Sequence, residues 1–255
     1  MNYPRYPEYK PSGVEWLGEV PAHWALDRMK WSVAGCQNGI WGAEPDGADD
    51  IACARVADFD RQRFMVAFDQ PTIRAVTEKE RRGRVLAKGD LLIEKSGGGE
   101  LQPVGAVVNY IRDEPAVCSN FVARMPIADN QDSRYWVYLH AHLYSGRVNV
   151  RSIKQTTGIQ NLDSAMYLNE TAAYPPYQEQ RAIAAFLDSE TARIDALVAK
   201  KQRLIELLAE KRTALISQAV TKGLNPAAPM KDSGVEWLGE IPAHWEAKRL
   251  KWVSK

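Results

Sequence analysis

Cysteine is scarce in this 255-residue chain, and Cys36, Cys53 and Cys118 are odd in number and far apart. They fit neither a disulfide framework nor a zinc-ligand spacing, and they point to a reducing, cytoplasmic compartment. No stretch approaches the roughly 18 unbroken apolar residues of a bilayer span. The opening Met1-Asn2-Tyr3-Pro4-Arg5 lacks the apolar core of a secretory signal. Surplus charge is missing too. Lys and Arg number 33 against 32 Asp and Glu, a net of +1, so nothing draws the whole molecule toward nucleic acid or a membrane.

Catalytic signatures are equally sparse. Ser96-Gly97-Gly98-Gly99 lets a backbone approach phosphate, but no Gly-Lys-Ser/Thr follows it, so it is not a Walker loop. A plain flexible turn explains it as well. No Gly-x-Ser-x-Gly elbow occurs. His140 and His142 form an H-x-H pair without a third ligand nearby, and a helix aims them apart, so surface or core histidines are expected. Tyr174-Pro175-Pro176-Tyr177 is similar to the Asn/Asp-Pro-Pro-Tyr/Phe box of amino-methyltransferases. Its first residue is Tyr, which cannot offer the oxygen that the box supplies, and no glycine-rich cofactor loop accompanies it.

Glycine is absent between Gly158 and Gly223, and proline between Pro176 and Pro226. That gap predicts one helix from about Tyr177 to Lys222, with Pro175-Pro176 before its start and Gly223 and Pro226 as its stop. Acids sit early (Glu179, Asp188, Glu190) and bases late (Lys211, Arg212, Lys222), which suits the macrodipole. Leu187, Ile194, Leu197, Leu204, Leu208 and Leu215 recur near a 3.5 spacing, interrupted by Lys201, Lys211 and Gln218. At 1.5 Å per residue the helix is roughly 65–70 Å long. One small domain does not cover such a stripe, so the expected partner is another chain, in a coiled coil. The alternative is a helix packed along its own domain.

The preceding part reads as mixed α/β. Ile51 to Phe59, Leu91 to Lys95, Val104 to Val108 and Val117 to Met125 have strand composition. Val76 to Leu86 and Ser133 to Leu143 are expected as short helices, and Glu44–Gly47 and Lys95–Gly99 as loops. The expected organisation is an α+β domain over 1–175, a long helix over 176–223, and a linker with the start of a further unit over 224–255.

That further unit is announced by a repeat. The segment Ser12–Trp31 returns as Ser233–Trp252, identical at fifteen of twenty positions at an offset of 221. The offset is far longer than a solenoid period and matches a whole domain plus connector. The chain thus reads as one complete unit followed by a second that is cut short. Trp16, Trp24 and Trp31 recur as Trp237, Trp245 and Trp252, which predicts a packing motif that seats each copy against a domain or a helix.

Charge distribution says more than its total. Residues 1–177 hold 20 Lys/Arg and 22 Asp/Glu, yet Arg134 to Leu162 contains no acid. Arg147, Arg151 and Lys154 lie there among Asn149, Gln155, Thr156, Thr157, Gln160 and Asn161. Arg and Lys neutralise phosphates, while Asn, Gln and Arg read base edges. A second basic run holds Arg74, Lys79, Arg81, Arg82, Arg84 and Lys88. Solvated faces look the same in sequence.

Together these segments resemble the DNA specificity subunit of type I restriction–modification systems, over essentially the whole chain. The resemblance is carried by Gly13-Val14-Glu15-Trp16-Leu17-Gly18 with Pro21-Ala22-His23-Trp24, and by Gly89-Asp90-Leu91-Leu92-Ile93 with Lys95–Gly99 and Pro103-Val104-Gly105. Thr157-Gly158-Ile159-Gln160-Asn161-Leu162 and Pro175-Pro176-Tyr177-Gln178-Glu179-Gln180 complete it, with Ile183 and Phe186-Leu187-Asp188. The resemblance implies a target-recognition domain over 1–175 that reads one half of a bipartite site in double-stranded DNA. It implies a non-catalytic chain without cofactor or metal, which holds methyltransferase subunits and, through them, restriction (translocase) subunits. A full-length member has two such domains and two long helices packed antiparallel; one of each is present here. A homodimer through the helix, in an antiparallel coiled coil facing inverted half-sites, is therefore expected; a remnant that binds only the methyltransferase is the alternative. The expected DNA-binding set is Lys95, Ser96, Gly97, Gly98, Arg147, Arg151, Lys154, Gln155, Thr156, Thr157, Gln160 and Asn161. The expected helix contacts are Leu187, Ile194, Leu197, Leu204, Leu208 and Leu215.

Overall fold

The computed structural model describes residues 5–156 and 158–249. Two compact units emerge, 1–187 and 188–255. The first is built on a six-stranded sheet. Its order is Gln37–Asn38, Val122–Met125, Leu91–Glu94, Val107–Asn109, Met65–Val66 and Phe59–Asp60, antiparallel except for the pair Val107–Asn109 with Met65–Val66.

Every residue of Leu91–Glu94 is buried. A strand covered on both sides reads as an unbroken apolar run because alternate side chains enter different cores. Leu91 and Ile93 join Ala123, Met125 and Val107 in one cluster. Leu92 joins Val108, Val122, Phe59 and Ala116 in another. The first cluster is closed by helix Ser133–Ser145, whose Tyr135, Trp136, Val137 and Leu143 are buried. Asp132 caps that helix by accepting from the Tyr135 amide at 2.9 Å. The second cluster is backed by a three-stranded sheet, Ala116–Cys118, Asp50–Ala54 and Thr72–Ala75.

Several expected elements are divided. The run Ile51 to Phe59 stops being a strand at Ala54, because Asp58 accepts from the Arg55 amide and guanidinium and folds the chain into a 3-10 turn. Val117 to Met125 is two strands, separated by a turn at Ser119–Phe121 that carries the chain from one sheet to the other. Val76 to Leu86 is helical only over Glu78–Arg81, since the Leu86 amide is taken by the Ala116 carbonyl. Of Val104 to Val108, only Val107 and Val108 lie in a strand. Ser96–Gly97, expected as loop, is a short strand.

The long helix, Tyr177–Lys222, has 46 residues and begins where the prolines put it. Gln180 is buried within the first unit and locks that start: its Oε1 accepts from the Asp132 amide and its Nε2 donates to Gln131 Oε1 and the Pro175 carbonyl. The Tyr-Pro-Pro-Tyr motif is thus the lead-in to a helix.

The front of the repeat, with the three residues before it, folds twice in the same way. In the first unit Tyr9–Pro11 pairs with Glu19–Pro21; in the second, Met230–Asp232 pairs with Glu240–Pro242 in the same register. The hydrogen bonds from Ser12 N to Gly18 O and from Trp24 N to Pro21 O return as Ser233 N to Gly239 O and Trp245 N to Pro242 O. Surroundings differ. In the first copy, Tyr6 and His23 donate to Glu179 in the first turn of the helix, His23 at 2.9 Å. In the second, Trp245 and Pro242 lie against Gly223, just past the helix end. Trp16 packs on the first core cluster, whereas its counterpart Trp237 is 81% exposed. Trp31 is also exposed, and Trp252 lies outside the described residues.

His140 is fully buried, with Nδ1 2.8 Å from the Tyr167 hydroxyl, while the His142 ring lies 6.0 Å from that of Trp16. Burial pushes His140 down from 6.5 to about 4. The unfolded chain therefore binds a proton that the folded chain refuses between about pH 6.5 and 4. Above this window the group costs nothing; within it, stability falls as pH falls, by up to about 1.4 kcal/mol per unit. Urea midpoints measured across the window should fall more steeply for the native protein than for His140→Gln. Parallel curves would refute the assignment.

Candidate nucleic-acid interface

The acid-free stretch builds one surface. After helix Ser133–Ser145 the chain turns at Arg147, enters a 3-10 helix over Val148–Ser152, and runs straight into a hairpin, Ile153–Thr156 with Ile159–Leu162. Ser96–Gly97 adds a third strand on the far edge of Ile159–Leu162. Lys154 pairs with Asn161 and Asn161 with Ser96, so these three side chains share one face; Gln155, Gln160 and Gly97 share the other.

Each expected residue has a definite setting. Ser96 Oγ donates to Asn161 Oδ1 at 2.6 Å. Gln160 is buried, and its Oε1 accepts from the Val104 amide at 3.2 Å. Gly98 sits against this contact: a Cβ there would lie 2.7 Å from Val104 N and 3.0 Å from Gln160 Oε1, which only glycine avoids. Lys95 Nζ donates to Asn38 Oδ1 at 2.9 Å. Lys154 is mostly exposed but forms a 2.7 Å ion pair with Asp163, which holds that carboxyl below the usual range. Gln155 and Arg151 are exposed. Arg147 adopts a left-handed backbone, φ 55°, and its guanidinium donates to the Glu100 carbonyl at 3.3 Å. Thr156 ends its strand, and Thr157 lies outside the described residues.

The second basic run is engaged internally. Arg74 is buried and ion-paired with Glu44 at 2.5 Å. Arg81 donates to the carbonyls of Val76 and Asp49, Arg84 to those of Asn38 and Glu80, and Lys88 pairs with Asp113. These bases close loops, a use that sequence does not distinguish from ligand binding.

Beside the three-stranded sheet lies a cleft of about 510 Å³, lined among others by Trp41, Glu94, Gly97, Asn120 and Phe121. Glu94 is 3% exposed and forms a 2.8 Å ion pair with Arg61, which also donates to the Tyr144 hydroxyl. Burial pushes the Glu94 carboxyl up, and Arg61 opposes that shift. Trp41, Asn120 and Phe121 carry no local sequence pattern; only the fold brings them together. Among the described residues, no group of three or more His, Cys, Asp and Glu is placed to hold a metal ion, and no helix is long and apolar enough to cross a membrane.

No family model matches the chain. Individual proteins do. The MjaVIII type I restriction enzyme specificity subunit of Methanocaldococcus jannaschii is 30% identical over 117 residues, 46% of this chain and 26% of that protein. The putative MjaX specificity subunit of the same organism is 20% identical over 237 residues, 92% of this chain and 53% of that one. The EcoBI specificity subunit of Escherichia coli is 25% identical over 108 residues, 42% and 22%. Among solved structures, the HsdS subunit of Thermoanaerobacter tengcongensis has the same fold, with a TM-score of 0.53 at 19% identity, over 85% of this chain and 48% of that one. A chain from a type I R-M system studied for complex assembly and conformational transition aligns with a TM-score of 0.58 at 19% identity, over 80% and 47%. With its mixed α+β domain and long helix, the chain is similar to the specificity subunits of type I restriction–modification systems and spans about half the length of the relatives it matches over most of its own.

Proposed function

We propose that this chain is a non-catalytic DNA-recognition and scaffold module that reads one half-site in duplex DNA and assembles with methyltransferase subunits and, with them, restriction subunits. The observation that carries the reading is the three-stranded sheet. It sets Ser96, Lys154 and Asn161 on one face, with Gln155 on the other and Lys95 just before the edge strand; its hairpin follows directly after Arg147 and Arg151, in a stretch without a single acid from Arg134 to Leu162. Cationic groups neutralise phosphate while the amides offer paired donors and acceptors to base edges. The Lys154–Asp163 pair is exposed on its lysine side and so is open to exchange for a phosphate.

The long helix supports self-association. Ile194, Leu197, Leu204, Leu208 and Leu215 are all about half exposed along one stripe of a 46-residue helix. Water-exposed leucines at coiled-coil spacing favour a partner helix. The charges favour an antiparallel one. The first half carries Glu179, Asp188, Glu190 and Asp195 against Arg181 and Arg193; the second carries Lys200, Lys201, Arg203, Lys211, Arg212 and Lys222 against Glu206 and Glu210. Antiparallel pairing sets the acidic half of one copy beside the basic half of the other. The helix is roughly 69 Å long, about two turns of B-DNA at about 34 Å each. Two identical readers related by a dyad face inverted half-sites.

Co-expression with the cognate methyltransferase subunits, followed by mapping of adenine methylation, should give a palindromic motif with a fixed central gap. An asymmetric motif with this chain as the sole specificity subunit would sink the dimer. A chain that co-purifies with the methyltransferase yet gives no motif would favour the remnant reading.

Arg147→Ala, Arg151→Ala and Lys154→Ala should each weaken binding to the mapped duplex, and each lost phosphate contact should lower the salt slope by about one. Unchanged affinity in all three would reject this face. Leu204→Asp with Leu208→Asp should convert the dimer to monomer in sedimentation while the circular dichroism of the first unit's fold persists; a dimer that survives both would place the contact elsewhere.

A further inference from the structure

Two half-open aromatic rings stand at the cleft beside the three-stranded sheet, Trp41 at 38% and Phe121 at 46% exposure. Leaving large rings in water forgoes the stabilisation of burying them. Both are also held in place from behind. Arg74 is buried, donates to the carbonyls of Trp41 and Gly42, and sets its guanidinium 4.7 Å from the Trp41 ring centroid. The Phe121 carbonyl accepts from the Lys95 and Ser96 amides at 2.8 and 3.2 Å. Gly39 locks the two walls together: a Cβ there would lie 2.0 Å from Cys118 O and 2.3 Å from Ser119 O, so no other residue permits this approach.

The chemistry between the walls is selective. The buried Glu94 carboxylate lines the cleft, kept company by Arg61 at 2.8 Å. Asn120 adds an amide with both donor and acceptor. A duplex groove edge is too broad for a concave site of this size. A single base that has left the stack is flat, small and able to stack on aromatic rings.

We propose that this cleft receives one extrahelical nucleobase of the bound DNA, stacked by Trp41 and Phe121 and selected by Glu94 and Asn120. The proposal rests on the DNA-reading function above. A carboxylate only accepts hydrogen bonds, so it selects a base with an exocyclic amino group, adenine, cytosine or guanine, over thymine. Specificity at that position is then read inside the protein, while the three-stranded sheet reads the duplex beside it.

The test uses the full chain in complex with its methyltransferase subunits and duplexes carrying the mapped motif. An abasic site is placed opposite each base in turn, which removes the pairing energy that opposes extrusion. At one adenine, cytosine or guanine the abasic partner should raise affinity about fivefold or more. That gain should vanish in Trp41→Ala and Phe121→Ala, whose side chains are exposed enough for the fold to persist, as circular dichroism checks. Affinity of these variants for the intact motif should drop roughly five- to a hundredfold. A gain at no position, a gain only at thymine, or a gain that survives both variants overturns the base pocket. Absence of any motif for the native chain overturns the DNA-reading function and the pocket with it, so the two failures are told apart.

Discussion

A charge buried at the end of a fully covered strand organises one end of the first unit. Glu94 closes Leu91–Glu94, every residue of which is buried, and Arg61 pairs with its carboxylate at 2.8 Å. Removing one partner of such a pair leaves a charge in a low-dielectric interior, which is strongly destabilising. The segment bearing Arg61 must therefore stay clamped to the strand end. From that fixed point the chain emerges as Lys95–Gly99, adds its short strand to the Ile153–Leu162 hairpin, and opens the neighbouring cleft. One ion pair thus ties core geometry to the small sheet and the cleft beside it.

Legibility in the sequence followed the range of the forces. The long helix was readable to its ends, because a proline before the start and a glycine past the finish act within one turn. Helix Ser133–Ser145 was readable nearly as well. The strands were found but misjudged in extent, since breaks at Arg55–Asp58 and Ser119–Phe121 depend on which sheet each residue joins. Ser96–Gly97 was missed altogether: its composition is that of a loop, and only pairing with Gln160 and Asn161 makes it a strand. Of the candidate surface, the stretch around Arg151 and Lys154 stood out by its lack of acids. Trp41 and Phe121 did not, because single aromatics separated by many residues leave no pattern. The basic run from Arg74 to Lys88 was left open between ligand contact and a solvated face, and in the fold Arg74, Arg81 and Arg84 donate to backbone carbonyls.

The duplicated hairpin shows how much of a local shape is local in origin. Two copies adopt one register and repeat the same turn hydrogen bonds, although one meets the start of the long helix and the other lies just beyond its end. What differs is burial. Trp16 lies on a core that was assembled from the rest of its unit, and Trp237 stands open. The hairpin backbone is alike in both copies; the fate of the tryptophan is set by what is built around it.

Arg147 holds a left-handed backbone conformation that costs a side-chain-bearing residue of order 1 kcal/mol and glycine almost nothing. Glycine at this position would make folding easier and would abolish the guanidinium at the entrance to the acid-free surface. Ease of folding and retention of this cation thus pull the position in opposite directions, and the arginine that occupies it keeps the cation at the expense of backbone ease.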